Sequence, residues 1–370
     1  MKTLTKRILR IFILIILIVL ALVITINFPV TTFINHTSEQ SYDTWMSDTL
    51  SSEDLIIDIA MLGAHDAFTS DMDVFSPIDN YSADSIQKGT IGLLIKGFSY
   101  KQSKTQVSDV TTLLNAGVRY FDIRLTFDLD TNQWWTVHTY FSTPFEDVLL
   151  DINTFLENHP GEFLILDIQH VYAVDPFSSA SPLLQLHHLF EDTGVLDYAY
   201  LDDIKPLNEI TYGDVTENGT KAGVVILSKY DEPNTSFFLY QSSIRSAWAN
   251  TDSIDALYSF LGEETTLIQS HEALTGNQVS DNLVAVDSLE GFRVMQGVLT
   301  MQMSGGGIIE AVLKWSLLER AMTVNSSLIE HDDFSNWLEA MPIVMVDYAD
   351  STKDGFITDV MEIIINFNEN

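Results

Sequence analysis

Short apolar runs recur along the chain from residue 55 onward, and each is followed by a stretch of helical or loop character. Runs of this length that end in polar residues are typical of strands buried in a parallel sheet. The predicted strands are residues 55–64, 118–127, 134–141, 162–171, 223–230, 291–302 and 342–349. Strands that alternate with helices favour an α/β fold.

The clearest helix lies between the third and fourth of these strands. Thr143 is a suitable N-cap, Pro144 suits the first helical position, and Glu146 completes a capping box. Apolar residues then recur at helical spacing. The stripe consists of Phe145, Val148, Leu149, Ile152, Phe155 and Leu156. Residues 159–161 (HPG) are predicted to end the helix.

The region after residue 55 contains no second linker and no internal repeat. About 300 residues without a boundary favour one closed barrel over two domains. We therefore predict a single-domain, distorted TIM-type (β/α) barrel over residues 55–360. A doubly wound open sheet is the main alternative, but no G-x-G-x-x-G motif follows an early strand.

The amino-terminal end has a different pattern. Residues 11–26 are apolar or Thr without a charge, four basic residues precede them, and the first acid is Glu39. Basic residues before an apolar segment predict a cytoplasmic amino terminus and an exported remainder. We predict a transmembrane signal anchor over residues 1–30 and a polar stalk over residues 31–54, with the barrel on the extracellular face. A cleaved signal peptide, which would make the protein secreted, and a buried core helix are the alternatives.

The composition is strongly acidic, with 18 Lys+Arg against 52 Asp+Glu and a net charge of −34. A domain of this charge repels phosphate backbones, so nucleic acid is excluded as a partner. The chain has no cysteine, which excludes disulfides, zinc–thiolate sites and cysteine nucleophiles.

Polar residues interrupt the predicted strands near their carboxyl ends, where a buried strand should stay apolar. The period of two places Asp122 and Arg124 on one face of their strand, and Asp167 and Gln169 on one face of another. The other polar residues at strand ends are His65, Asp66, His138, Lys229 and Asp347. In a parallel barrel these ends form one rim, which is where active sites lie.

Two histidines, several carboxylates and a guanidinium at one rim predict acid–base chemistry on a phosphate group. Taken singly, each has a structural interpretation: Asp122 and Arg124 could form an ion pair, and His138 could be a core histidine. H-E-x-x-H, P-loop and G-x-S-x-G motifs are absent. The other histidines of interest lack metal-binding spacing and are interpreted as surface or supporting residues; they are His159, His170, His187 and His188.

Four segments resemble the catalytic X region of phosphatidylinositol-specific phospholipase C, in particular its bacterial and X-domain-only members. They are residues 61–69 (MLGAHDAFT), 117–125 (GVRYFDIRL), 137–138 (VH) and 160–170 (PGEFLILDIQH). Weaker matches follow at residues 248–251, 296–300 and 343–347, so the resemblance covers most of the predicted barrel. The family's fold is a distorted (β/α) barrel, in agreement with the pattern of strands and helices.

The resemblance implies a phosphorus–oxygen lyase that acts on phosphatidylinositol-type lipids or glycosyl-phosphatidylinositol. The inositol 2-hydroxyl would attack phosphorus, releasing diacylglycerol and leaving a cyclic inositol phosphate. His65 would be the general base, with Asp347 as its carboxylate partner. His138 would be the general acid, with Asp66 as its partner.

The resemblance also implies that Arg124 binds the phosphate and that Asp122 positions this group or the ring hydroxyls. The implied substrate-binding residues are Lys229, Asp167 and Gln169. Calcium-dependent relatives place a carboxylate at the position of Arg124, so no metal cofactor is expected. A calcium ion held by Asp122 and Asp167 is the alternative.

Two departures from the family pattern are visible. Thr139 follows the second histidine, where glycine is usual, and residues 70–110 are predicted to form an extra loop over the rim.

We expect a monomer that binds a membrane lipid as substrate. The alternatives are a non-catalytic surface barrel that binds a lipid head group or sugar phosphate, and a glycerophosphodiester phosphodiesterase. The His-Arg-Gly opening and the metal-binding carboxylate pairs of the latter are missing.

Overall fold

A mainly parallel sheet of ten strands forms the centre of the described protein. The computed structural model describes residues 11–17, 20, 40–83, 87–173, 182–200, 205–229, 237–239, 243–270, 290–302 and 316–369. The strands are β1 (Met61–Ala64), β2 (Val118–Asp128), β3 (Gln133–His138), β4 (Tyr140–Pro144), β5 (Phe163–Tyr172), β6 (Gly223–Ser228), β7 (Phe238–Leu239), β8 (Ile244–Arg245), β9 (Phe292–Gln296) and β10 (Ile343–Val346). The two-residue strands β7 and β8 are too short for periodicity to predict them.

The order of the strands makes the sheet a barrel. Parallel pairs run β1–β2–β5–β6–β7 and β8–β9–β10, and β10 pairs back to β1, with Ala64 opposite Val346. Strands β3 and β4 form an antiparallel extension on β2. Among the described residues, β7 and β8 are not paired with each other, so the ring is interrupted there. The distorted (β/α) barrel is confirmed, and the doubly wound alternative is wrong because the first and last strands pair.

Helices cover the outside of the barrel. Their bounds are Trp45–Thr49, Thr90–Leu94, Lys96–Lys101, Val110–Asn115, Phe145–Asn158, Leu183–Asp192, Tyr212–Thr216, Ile254–Gln269, Leu317–Ile329, Phe334–Ala340 and Phe356–Asn368, with 3₁₀ turns at Val195–Tyr198, Leu207–Glu209 and Lys353–Gly355. Buried apolar residues of these helices, except Thr90–Leu94 and Lys96–Lys101, join those of the strands in one main core cluster. Because these helices pack along the sides of the barrel, the segments that connect strands to helices surround the carboxyl ends of the strands.

The predicted helix after β4 spans Phe145–Asn158, and all six residues of its apolar stripe are buried. The predicted cap by Thr143 is wrong. Strand β4 runs directly into the helix, so the N-cap is Pro144, which makes no side-chain cap hydrogen bond. The Thr143 hydroxyl instead donates to Asp71 Oδ2 at 3.1 Å.

The structure corrects the prediction of an amino-terminal transmembrane helix. No helix among the described residues is long and apolar enough to cross a membrane. Residues 11–17 and residue 20 are helical. The remaining parts of the predicted anchor, residues 1–10, 18–19 and 21–30, and residues 31–39 of the predicted stalk lie outside the described residues.

Residues 40–54, which fell in the predicted stalk, pack against the barrel. Trp45 and Met46 are buried in the core. Arg119 of β2 is fully buried, forms an ion pair with Glu162 at 2.7 Å, and donates to the Tyr42 carbonyl at 3.0 Å. A buried arginine needs such partners, since an unpaired buried charge is strongly destabilising.

Candidate functional site

A cavity of about 390 Å³ lies at the carboxyl ends of the barrel strands. Its wall contains eight of the nine residues that the sequence singled out: His65, Asp66, Asp122, Arg124, His138, Gln169, Lys229 and Asp347. Seven of these residues come together because the parallel strands of the barrel end at the same rim. His138 is the last residue of the antiparallel strand β3, which folds back along β2 to the same cavity. Asp167 is not among the residues that line the cavity.

His65 is held by a carboxylate from the last strand of the barrel. Its Nδ1 lies 2.8 Å from Asp347 Oδ1, while its Nε2 lies 3.6 Å from Asp66 Oδ2 and 3.8 Å from Asp122 Oδ2. Burial opposes a charge on the imidazole. The charges of Asp66, Asp347 and Asp122 outweigh it and raise the pKa of His65 to about 9. His65 therefore carries a proton at neutral pH.

Asp66 is the central anion of the site. It is buried, with a backbone φ of 40°, and one carboxylate oxygen contacts Arg124 Nε while the other lies 3.3 Å from His138 Nδ1. Burial alone would raise the pKa of Asp66, but the positive charges of Arg124, His138 and His65 lower it to about 2. Asp66 is therefore ionised in the folded protein at neutral pH.

His138 is the last residue of strand β3, and the backbone of the 70–110 segment holds its ring. Its Nδ1 lies 2.7 Å from the Ser103 carbonyl, which accepts the ring proton and leaves Nε2 available to a ligand in the cavity. Burial and the charges of Arg124 and His65 outweigh the attraction of Asp66 and lower the pKa of His138. The two histidines thus differ in protonation, with His65 charged and His138 neutral.

Arg124 supplies a permanent positive charge. The guanidinium contacts Asp66 and lies 3.9 Å from Asp122 Oδ2, and its side chain is 21% exposed toward the cavity. Burial opposes the charge, but these two carboxylates outweigh it and raise the pKa of Arg124. Asp122 is completely buried, and burial raises the pKa of its carboxyl group.

Asp167 lies opposite Asp122 in the β2–β5 register, and it is fully buried. Its Oδ2 accepts a 2.6 Å hydrogen bond from the Tyr120 hydroxyl. Burial and the neighbouring charge of Asp122 raise the pKa of Asp167 well above its usual range. Asp167 therefore lies behind the cavity wall, inside the barrel and next to Asp122, rather than at a position that contacts a ligand.

One set of donors in the described part of the chain has metal-binding spacing, with ligand atoms within 4.8 Å of one another. It consists of His65, Asp66 and Asp122. A metal ion does not fit these donors, because the guanidinium of Arg124 already contacts Asp66 and lies beside Asp122, and it would repel a cation. The pair Asp122 and Asp167 fits calcium no better, since the Tyr120 hydroxyl already donates to Asp167 Oδ2 and the guanidinium of Arg124 lies beside Asp122.

Several cavity residues were not predicted. The 70–110 segment contributes Gln87, Gln102 and Ser103, so it does form part of the wall. Others are His170, Trp248 and Arg320. His170 and Trp248 fall within segments that resemble the family, and this resemblance could have marked them as residues of the site. Arg320 lies on the amphipathic helix Leu317–Ile329, where nothing in the sequence marked it.

Thr139 turns the chain between β3 and β4 with a φ of 68°. This left-handed region favours glycine, and a β-branched residue is strained there. The geometry explains why glycine is usual after the second histidine of the family.

The barrel is similar to a solved phospholipase structure. It matches the phosphatidylinositol-specific phospholipase C from Listeria monocytogenes with a TM-score of 0.56 and 17% identity, over 89% of this chain and 100% of that chain. At this level of identity, the likeness shows a shared fold. The fold is thus a (β/α) barrel like that of this phospholipase.

Sequence relatives make the relationship more specific. The chain is 32% identical over 163 residues to PI-PLC X domain-containing protein 3 of Danio rerio, covering 42% of this chain and 50% of that protein. It is 34% identical over 143 residues to the variant-surface-glycoprotein phospholipase C of Trypanosoma brucei brucei, covering 36% of this chain and 40% of that protein. The chain thus matches half or less of the length of these two relatives, and no family model matches it. The resemblance to the phosphatidylinositol-specific phospholipase C X-domain family is confirmed.

Proposed function

We propose that the protein is a phospholipase C that cleaves the phosphodiester of phosphatidylinositol or glycosyl-phosphatidylinositol without a metal ion. The observation that carries this proposal is a pair of histidines held at Nδ1, His65 by Asp347 and His138 by the Ser103 carbonyl, with Arg124 in the same cavity. A binding module has no need of two such histidines. The names of the relatives support the substrate class.

The reaction begins with attack of the inositol 2-hydroxyl oxygen on phosphorus. His65 Nε2 takes the hydroxyl proton as the new oxygen–phosphorus bond forms. The bond from phosphorus to the glycerol oxygen breaks, and His138 Nε2 gives that oxygen a proton. The products are diacylglycerol and inositol 1,2-cyclic phosphate, and the two histidines have exchanged protonation states.

The free protein has to shift one proton before this chemistry. The pKa of His65 is about 9, so His65 is protonated, and the lowered pKa of His138 leaves that ring neutral. The reaction needs a neutral His65 to accept a proton and a protonated His138 to donate one. A phosphate anion bound beside His138 favours its charged form, as any nearby anion does. The transfer leaves the total number of protons on His65 and His138 unchanged. The pH dependence of activity therefore reports the pKa values of the two histidines as a pair.

Arg124 performs the role that a metal ion would otherwise have. Its charge is permanent, and the contacts to Asp66 hold the guanidinium before the substrate binds. A cation that is already oriented stabilises the charge that develops on phosphorus without reorganisation cost. This placement supports a reaction that is independent of calcium.

The test is phosphorus NMR of the full chain with phosphatidylinositol micelles in EDTA. We expect a cyclic phosphodiester signal whose rate of appearance falls by about 10²- to 10⁴-fold in His65→Ala and in His138→Ala. His188→Ala is the matched control, because His188 is exposed and pairs with Glu191 on its own helix. No product from the folded wild-type protein would favour a non-catalytic barrel. Product that appears only with added calcium would contradict the role of Arg124.

A further inference from the structure

His170 reaches the cavity through an irregularity in strand β5. In the β2–β5 register, Ile123 lies opposite Ile168, but the next residue, Arg124, lies opposite His170. Gln169 is therefore an extra residue, as in a β-bulge. Regular alternation would place Gln169 and His170 on opposite faces of the sheet. With the bulge, both line the cavity.

Stacking on a neighbouring ring orients the side chain of His170. It is partly buried and stacks on Tyr172 with a centroid distance of 5.7 Å and an interplanar angle of 14°. Within the described residues, neither of its ring nitrogens has a hydrogen-bond partner. A polar group held in the wall of a cavity in this way is available to a ligand.

The surroundings of His170 keep the ring neutral. Burial and the positive charges of Arg124 and Lys229, which come from the strands on either side, lower the pKa of His170 to about 3, and His138 acts in the same direction. Asp66 opposes them with a smaller effect. A neutral imidazole has one N–H donor and one acceptor nitrogen.

We propose that His170 is a specificity-determining residue that hydrogen-bonds a hydroxyl of the inositol ring in the reaction proposed above. The phosphate is a poor partner for it, because Arg124 already supplies the cation and a neutral ring adds no charge. A hydroxyl group both donates and accepts, as the neutral ring does. A site that pairs with a substrate hydroxyl discriminates against analogues that lack it.

The test compares two substrates. The first is phosphatidylinositol; the second is 2-hydroxypropyl 4-nitrophenyl phosphate, which has an internal nucleophilic hydroxyl and a phosphodiester but no inositol ring. We expect His170→Ala to lower kcat/KM for phosphatidylinositol about tenfold and to leave cleavage of the second substrate unchanged. His170→Gln, which keeps a neutral donor and acceptor, should restore most of the loss. His159→Ala, outside the cavity wall, is the matched control and should change neither.

Two results would overturn the proposal. An equal loss with both substrates would mean that His170 supports the site as a whole or acts on the phosphate. Loss of one limb of the pH–rate profile in His170→Ala would make it an acid–base residue.

If the wild-type protein cleaves neither substrate, the proposed function fails, and His170 is then tested by binding alone. Weaker binding of myo-inositol 1-phosphate by His170→Ala, with inorganic phosphate binding unchanged, would support the proposal. Equal binding of myo-inositol 1-phosphate by the two proteins, or none by either, would overturn it.

Discussion

His65 Nδ1 and Asp347 Oδ1 lie 2.8 Å apart, although 282 positions separate the two residues in the chain. Each residue directly follows a strand, and the last residues of those strands, Ala64 and Val346, are register partners in the β1–β10 pair. The pairing of the first and last strands therefore brings the histidine to its carboxylate. This part of the site therefore depends on the β1–β10 pair.

Asp347→Asn tests this contact through the pH dependence of activity. The wild-type kcat/KM should fall above about pH 9, where His65 loses its proton and the number of protons on the histidine pair changes. Removal of the Asp347 charge lowers the pKa of His65, so the alkaline limb should move to lower pH, with a loss in rate of about 10²-fold. The measurement is a pH–rate profile on phosphatidylinositol micelles. Asp333→Asn, at the exposed carboxylate near His331, is the control. An unmoved limb would show that Asp347 does not set the pKa of His65.

Arg124→Lys should lower kcat by about 10²- to 10³-fold, although the positive charge is kept. A lysine ammonium cannot reproduce the planar contact from Nε to Asp66 while also facing the phosphate. Steady-state kinetics on phosphatidylinositol, with and without EDTA, measure the effect.

Arg293→Lys is the matched control for that variant. Arg293 is a buried arginine that pairs with Asp58 at 2.6 Å and does not line the cavity. It should lower stability and leave kcat unchanged. Equal losses of kcat in the two variants would assign the effect to folding rather than to the phosphate.

Thr139→Gly should stabilise the protein by about 1 kcal/mol, because glycine relieves the strain of a φ of 68°. The expected rise in Tm is about 2 °C, measured by thermal denaturation. Thr139→Ala keeps the Cβ atom and should bring little gain. If alanine stabilised the protein as much as glycine, backbone strain would not be the reason.

The stability of the fold should decrease at alkaline pH through His65. Its pKa is about 9 in the folded protein against about 6.5 in the unfolded chain, so the folded state binds the proton more tightly. The resulting stabilisation is complete below pH 6.5 and is lost as the pH rises through 9. Tm measured from pH 6 to 10 should therefore fall less steeply in His65→Gln than in the wild type. His188→Gln should follow the wild type, and parallel curves for all three would contradict the prediction.

The local pattern of the chain was enough to predict the barrel strands and most of the rim. Alternation placed Asp122 and Arg124 on one face, and the carboxyl ends of parallel strands meet at one edge whatever the details of packing. Hydropathy alone was less informative at the amino terminus, where the predicted transmembrane helix is wrong.

The sequence by itself determined which chemistry is present: two histidines, an arginine and their carboxylates at the ends of buried strands. Tertiary structure alone decided how they are arranged. Pairing of the first and last strands brought His65 to Asp347, and a one-residue bulge turned His170 into the cavity. The β2–β5 register left Asp167 buried opposite Asp122. Periodicity along a strand reports which face a side chain occupies, whereas register, bulges and closure depend on partners far away in the chain.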